Sequence, residues 1–150
     1  MMRVFEPLPP DIEQLAKVVV DAAYSVHSSL DPGLLESVYE LCLLHELRKR
    51  EIPSEQQVRI PVLYDGLRLE AGLRIDLMVD RKLILEIKAV EEMNRIYKAQ
   101  VLTYLKLTGL RLGLLINFNV ALIKNGIERV ILSKFDNPTN KGSDYCRTLV

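Results

Sequence analysis

The sequence predicts an α/β fold, a central mixed β-sheet flanked by α-helices, and three observations carry that expectation. Apolar residues recur at helical spacing up to about residue 50, and the period changes to two from Gln56 onward. A further helical stretch over 94–108 then separates two apolar runs, 83–90 and 112–118, suited to covered strands. With 150 residues, 49% hydrophobic and 27% charged, the chain has room for one domain with a sizeable core and the composition of a globular protein. The expected domain covers 1–133, with a polar tail over 134–150.

In chain order, Pro9-Pro10-Asp11 reads as a helix start with Asp11 as N-cap, and Ile12, Leu15, Ala16, Val19, Ala22, Ala23 and Val26 carry the helix to about Ser29. Asp31-Pro32-Gly33 breaks the pattern and restarts it, with Asp31 as cap and Pro32 at the first helical position. The second helix, roughly 32–50, has almost no polar face before Arg48-Lys49-Arg50, so it is expected to be largely buried and its carboxylates costly unless used. Arg48-Lys49-Arg50 is most simply a solvated helix end. Val58, Ile60 and Val62 alternate with polar positions, and Asp65-Gly66 supplies a hairpin turn into a long strand over 67–79. The next strand, 83–90, is apolar except for Glu86 and Lys88, which alternation puts on one face. Whether Asp76 joins that face depends on register. A three-residue loop at 80–82 sets 76 opposite 86, whereas a two-residue loop sets Asp76 opposite Leu85; the three-residue loop is the expected one. Gly109 is placed to end the third helix, and 121–124 with 127–132 around Asn125-Gly126 reads as a hairpin.

Lys+Arg and Asp+Glu number 20 each, which excludes a broad positive field drawing the chain to nucleic acid or an anionic membrane. Any phosphate binding must be local or metal-assisted. Cys42 and Cys146 have no ligand-like spacing, and Cys42 among leucines reads as a buried thiol. The N-terminus lacks the apolar stretch of a signal peptide, and no run reaches the ~18 apolar residues of a membrane span. The expected setting is the cytoplasm, with no membrane partner. His27 and His45 sit on helices and read as core or boundary residues rather than ligands.

The residues that could carry chemistry are Glu36 on the second helix, Asp76 on one strand, Glu86 and Lys88 on the next, and Gln100 and Tyr104 one turn apart on the third helix. Their motifs resemble the GxxExxY proteins of the PD-(D/E)XK nuclease superfamily. Gly33-Leu34-Leu35-Glu36-Ser37-Val38-Tyr39 reproduces the naming motif, Arg74-Ile75-Asp76 with Glu86-Ile87-Lys88 matches the central block, and Gln100-Val101-Leu102-Thr103-Tyr104 matches the helix motif shared with RecB-like nucleases. The resemblance runs from about residue 11 to 132, with Ile75 standing where many members have proline.

The resemblance implies a restriction-endonuclease-like core and a Mg²⁺ or Mn²⁺ site with Asp76 and Glu86 as first ligands and the Ile87 carbonyl as a third. Glu36 would bind that metal directly, through water, or at a second site. Hard cations take carboxylate oxygens and water, and phosphodiester hydrolysis needs a polarised phosphoryl group and an activated water. Lys88 would orient or deprotonate that water and offset charge on the phosphate. Gln100 and Tyr104 would hold the phosphate or the lysine. Arg74, placed with Asp76 by alternation, would bind phosphate or pair with the acidic cluster. Tyr39 reads as a packing residue bonding near the site, and Gly33 as the tight turn into the second helix.

Taken singly, each strand carboxylate is most simply solvated or ion-paired; together they point to a metal, because burying several carboxylates without a cation costs several kcal/mol. The leading expectation is a divalent-metal-dependent nuclease acting on DNA or RNA, with a homodimer or a protein partner supplying nucleic-acid affinity. The competing readings are a non-cleaving binding or regulatory module and a structural protein with a buried acidic–lysine network.

Overall fold

The computed structural model describes residues 6–133, so the expected tail and Cys146 lie outside the described residues. Helix α1 runs Pro10–Leu30. Pro10 suits the first helical turn, where its missing N–H would have had no partner. Pro9, not Asp11, is the N-cap, and Asp11 instead faces Lys82 Nζ at 3.1 Å.

The second helix starts later than its Asp-Pro signal suggests. Asp31, with φ +58°, caps α1 by donating its N–H to the His27 carbonyl, and Gly33 takes φ +112°, where side chains are strained. Gly33 interrupts the helix, Leu35 is extended as the N-cap, and α2 spans Glu36–Lys49. Tyr39 fixes this corner: its hydroxyl donates to the Asp31 carbonyl at 2.5 Å and accepts the Leu34 N–H at 3.1 Å, while its ring stacks 4.6 Å from Phe118. Tyr39 thus bonds to the connection between helices and not to the candidate site. α2 buries Tyr39, Glu40, Leu43, Leu44 and Leu47 and leaves the rest of its surface open. It is amphipathic, not largely buried, and Cys42 is only half-buried. Arg50 ends it by pairing with Glu46 and with Asp21, so the basic run is partly engaged within the fold.

Five strands follow: β1 Ser54–Tyr64, β2 Leu67–Val79, β3 Leu83–Lys88, β4 Leu112–Asn117 and β5 Ile127–Ile131, lying side by side in that order. All neighbours are antiparallel except β3 and β4, which are joined through α3, Arg95–Thr108. The sheet is mixed, as a helical crossover between two strands requires. Asn94 caps α3 by accepting the Ile96 N–H, and Gly109 closes it in the left-handed conformation. The expected hairpin around Asn125-Gly126 does not form. Ile123–Gly126 is a 3₁₀ turn and β5 pairs with β4 instead. Gly126 is needed there for packing, because a Cβ would lie 2.1 Å from the Asn117 carbonyl.

One core lies between the sheet and α1 with α2, and a second lies under α3. His27 is buried in the first, its Nε2 2.7 Å from the Val120 carbonyl, while His45 is exposed. Gly113 lets α3 sit close to the sheet, since a Cβ there would meet Val101 Cγ1 at 2.5 Å. These helices on both faces of a mixed sheet form an α/β, restriction-endonuclease-like fold. None of the described helices is long and apolar enough to cross a membrane.

Candidate active site

Val79 pairs with Leu83 and Leu77 with Leu85, so the 80–82 connection has the three-residue length that places Asp76 level with Glu86. Backbone pairing stops there, and side chains take over. Asp76 Oδ2 accepts the Ile87 N–H at 2.9 Å, and Glu86 Oε1 accepts the Asp76 N–H at 3.2 Å. The two carboxylates are thereby locked to each other's strands.

On the other side of β2 the ladder is also interrupted. Gln56 pairs with Leu77 and Val58 with Ile75, but Gln57 between them has φ +54°. A left-handed residue in a strand resets the alternation of faces. Leu73 and Ile75 pack under α3, whereas Leu77 and Val79 pack under α1 and α2. Asp76 sits at the reset, and Gln56 and Gln57 both reach toward α2. Their amides donate to Glu40 at 2.8 Å each, and Gln57 Nε2 also lies 3.4 Å from Asp76 Oδ1.

A cleft of about 890 Å³ opens here between the N-terminal end of α2, the β1–β2 hairpin and α3. Glu36, Arg74, Asp76, Glu86, Lys88, Gln100 and Tyr104 all line it. Glu36 is exposed at the first position of α2, contrary to the expectation of a carboxylate in a buried helix. The buried helix carboxylate is Glu40, one turn further on and 6% exposed. Glu40, Gln56 and Gln57 were not legible as site residues; the i, i+4 spacing of Glu36 and Glu40 is the signal that could have found the first. Ile87 has its side chain in the core and reaches the site only through its backbone.

The electrostatics are those of crowded carboxylates. Burial and the Asp76 charge push the Glu86 carboxyl up to about 8, against the pull of Lys88. Burial raises Asp76, helped by the charge of Glu36 and opposed by the Ile87 N–H. Burial likewise raises Glu40, opposed by the two glutamine amides. Lys88 makes no ion pair with either strand carboxylate among the described residues. Its Nζ lies 4.6 Å above the ring of Tyr97, a cation–π contact. Tyr97 was another residue missed, three positions before Gln100 on the same face of α3. Tyr104, 2% exposed, is held back from ionising to about 12 by burial and by the charges of Glu86 and Asp76, with the Gln100 side chain and the Arg74 backbone N–H as hydrogen-bonding neighbours. Gln100 and Tyr104 thus contact each other and β2, and the aromatic ring under the lysine is that of Tyr97.

Among the described residues, no group of three His, Cys, Asp or Glu side chains is arranged to hold a metal ion. The donor set nevertheless suits a cation that keeps part of its water shell. Asp76 and Glu86 offer two adjacent carboxylates with raised proton affinity, and Mg²⁺ is commonly held by one or two carboxylates plus waters and substrate phosphate.

No curated protein and no solved structure matches the chain. A family model described as the PD-(D/E)XK nuclease superfamily matches residues 13–130, a span that begins within α1 and ends in β5 and so contains every residue of the cleft. The chain belongs to the PD-(D/E)XK nuclease superfamily.

Proposed function

We propose that this protein is a divalent-metal-dependent nuclease that hydrolyses phosphodiester bonds of DNA or RNA, within the GxxExxY branch of its superfamily. The observation that carries the reading is the pairing of Asp76 with Glu86 where β2 and β3 part. The buried Glu86 carboxylate accepts the Asp76 N–H, the half-buried Asp76 carboxylate accepts the Ile87 N–H, and both are pushed toward protonation by burial. A cation would relieve that cost. Asp76 and Glu86 would hold Mg²⁺ or Mn²⁺. The Ile87 carbonyl joins them because, in an antiparallel pair, a residue's N–H and C=O point the same way, and the Ile87 N–H points to Asp76. A divalent cation there would polarise a phosphoryl oxygen and lower the pKa of a bound water.

The remaining chemistry belongs to the chain. Lys88 Nζ, steadied over Tyr97, orients the attacking water and offsets charge growing on the phosphoryl group. Glu40, held by Gln56 and Gln57, and Glu36 at the cleft mouth position water. Gln100 and Tyr104 brace β2 against α3, and Arg74 meets substrate phosphate. A cytoplasmic setting and a homodimer or protein partner that adds phosphate contacts complete the proposal.

The zero net charge favours one second reading, a nucleic-acid-binding or regulatory module that keeps this site without cleaving. Mn²⁺-dependent cleavage of labelled single-stranded, duplex and branched DNA and RNA separates the two. Products formed with Mn²⁺ and lost in EDTA support the nuclease; intact substrates with Mn²⁺ bound support the module.

A further inference from the structure

Arg59 of β1 and Arg74 of β2 are direct cross-strand partners. Opposed residues on neighbouring strands bring their Cβ atoms within about 5.5 Å, and like charges in that position destabilise a sheet. Both arginines are exposed, both line the cleft, and neither forms an ion pair or side-chain hydrogen bond among the described residues. Glu70, the nearby cleft carboxylate on β2, is engaged by Arg68, and Lys88 is the cation acting on Asp76 and Glu86. A like-charged pair with no side-chain partner among the described residues is open to an anion from outside.

The position of the pair says which anion. Arg74 lies two residues from Asp76, about 6.6 Å along an extended strand, so it serves a phosphate near the carboxylates and not the one held by them. Both arginines line the same cleft as Asp76 and Glu86, so they reach a phosphate beside one held at the carboxylates. We propose that Arg59 and Arg74 form a clamp for the phosphate next to the one being hydrolysed, so that the substrate is a strand carrying at least two consecutive phosphates and running from the Asp76–Glu86 site along the β1–β2 hairpin. This rests on the nuclease reading for what happens at the neighbouring phosphate.

Each guanidinium offers a fork of N–H groups that donate to two phosphate oxygens at a time. Charge-assisted hydrogen bonds of this kind are strong enough that losing one arginine weakens binding by about tenfold. Each phosphate contact also releases counterions, so its loss lowers the salt dependence of log K by close to one.

The test is equilibrium binding, in Ca²⁺ so that the carboxylate site can hold a phosphate, of a short fluorescent oligothymidine to the full chain and to Arg59→Gln, Arg74→Gln and the double variant, across a salt series. The same proteins are titrated with thymidylyl-thymidine, which has a single internal phosphate, and melted without ligand. Each single variant is expected to bind the oligonucleotide about tenfold more weakly with a shallower salt slope, to bind the dinucleoside monophosphate as wild type does, and to melt no lower than wild type because a like-charge pair has been removed. Wild-type affinity and slope in both single variants overturn the clamp, and so does an equal loss for both ligands or a clearly lowered melting temperature. If wild type cleaves while the variants bind normally, the clamp alone falls; if the arginines govern binding but nothing is cleaved, the clamp stands and hydrolysis falls.

Discussion

Replacing Glu86 by glutamine is expected to remove a pH-dependent loss of stability from the metal-free protein. Glu86 is 3% exposed, and burial with the neighbouring Asp76 charge moves its carboxyl from 4.5 to about 8. At about 1.4 kcal/mol per unit, holding this group ionised in the fold costs several kcal/mol. The folded group binds its proton more tightly than the unfolded one, so its contribution is complete below about 4.5 and is lost as pH rises toward 8. Asp76 and Glu40, also raised by burial, act in the same sense. The exposed acids Asp11, Glu13 and Glu46, lowered by Lys82, Arg129 and Arg50, act in the opposite sense but change their contribution only at more acidic pH. For a chain of this size one kcal/mol corresponds to about 2–4 °C, so the wild-type melting temperature in EDTA should fall on the order of 10 °C between about pH 5 and 8. Glu86→Gln should fall clearly less over that interval, keeping only the part owed to Asp76 and Glu40, and millimolar Mg²⁺ should restore most of the wild-type loss at the alkaline end. A wild-type melting temperature that holds level or rises, or a Glu86→Gln slope equal to wild type, would refute the reasoning.

Three further outcomes follow from the packing. Tyr39→Phe deletes a hydroxyl serving the Asp31 carbonyl and the Leu34 N–H; thermal melting should show a loss of about 1–3 kcal/mol while cleavage persists. Gly113→Ala places a methyl against Val101, which should cost about 1–3 kcal/mol by denaturant unfolding, and Val101→Ala in the same chain should recover part of it. Tyr97→Leu removes the ring beneath Lys88 and should slow cleavage severalfold, in line with a cation–π contact of about 0.5–1 kcal/mol, with Mn²⁺ affinity unchanged in a titration.

The parts of the fold written in short-range signals could be read directly. The change from helical to two-residue period, the glycine closing α3 and the loop length that sets Asp76 level with Glu86 are local properties, and each matches the structure. The site's irregularity was hidden for a physical reason. Leu73, Ile75, Leu77 and Val79 spell one continuous apolar face, yet the structure divides them between two cores. The division falls at Asp76, opposite the left-handed backbone of Gln57 on β1, and the side chain of Gln57 gives no hint of that conformation. The start of α2 departs from its sequence pattern because Asp31-Pro32 satisfies a helix-start signal while Gly33 is left-handed and Leu35 extended, and the carboxylate that α2 buries is Glu40, not Glu36. Asn125-Gly126 has the composition of a hairpin turn, but its glycine makes room for a carbonyl of β4. That Arg59 and Arg74 stand opposite one another, without a side-chain partner among the described residues, follows only from strand register.

The measurement closest to the central claim is the rate of Mn²⁺-dependent cleavage, with Mn²⁺ affinity determined in parallel, for wild type, Asp76→Ala and Lys88→Ala. Cleavage by wild type, loss of both cleavage and metal affinity in Asp76→Ala, and loss of cleavage with retained metal affinity in Lys88→Ala is the expected result. Cleavage that survives in either variant would contradict it.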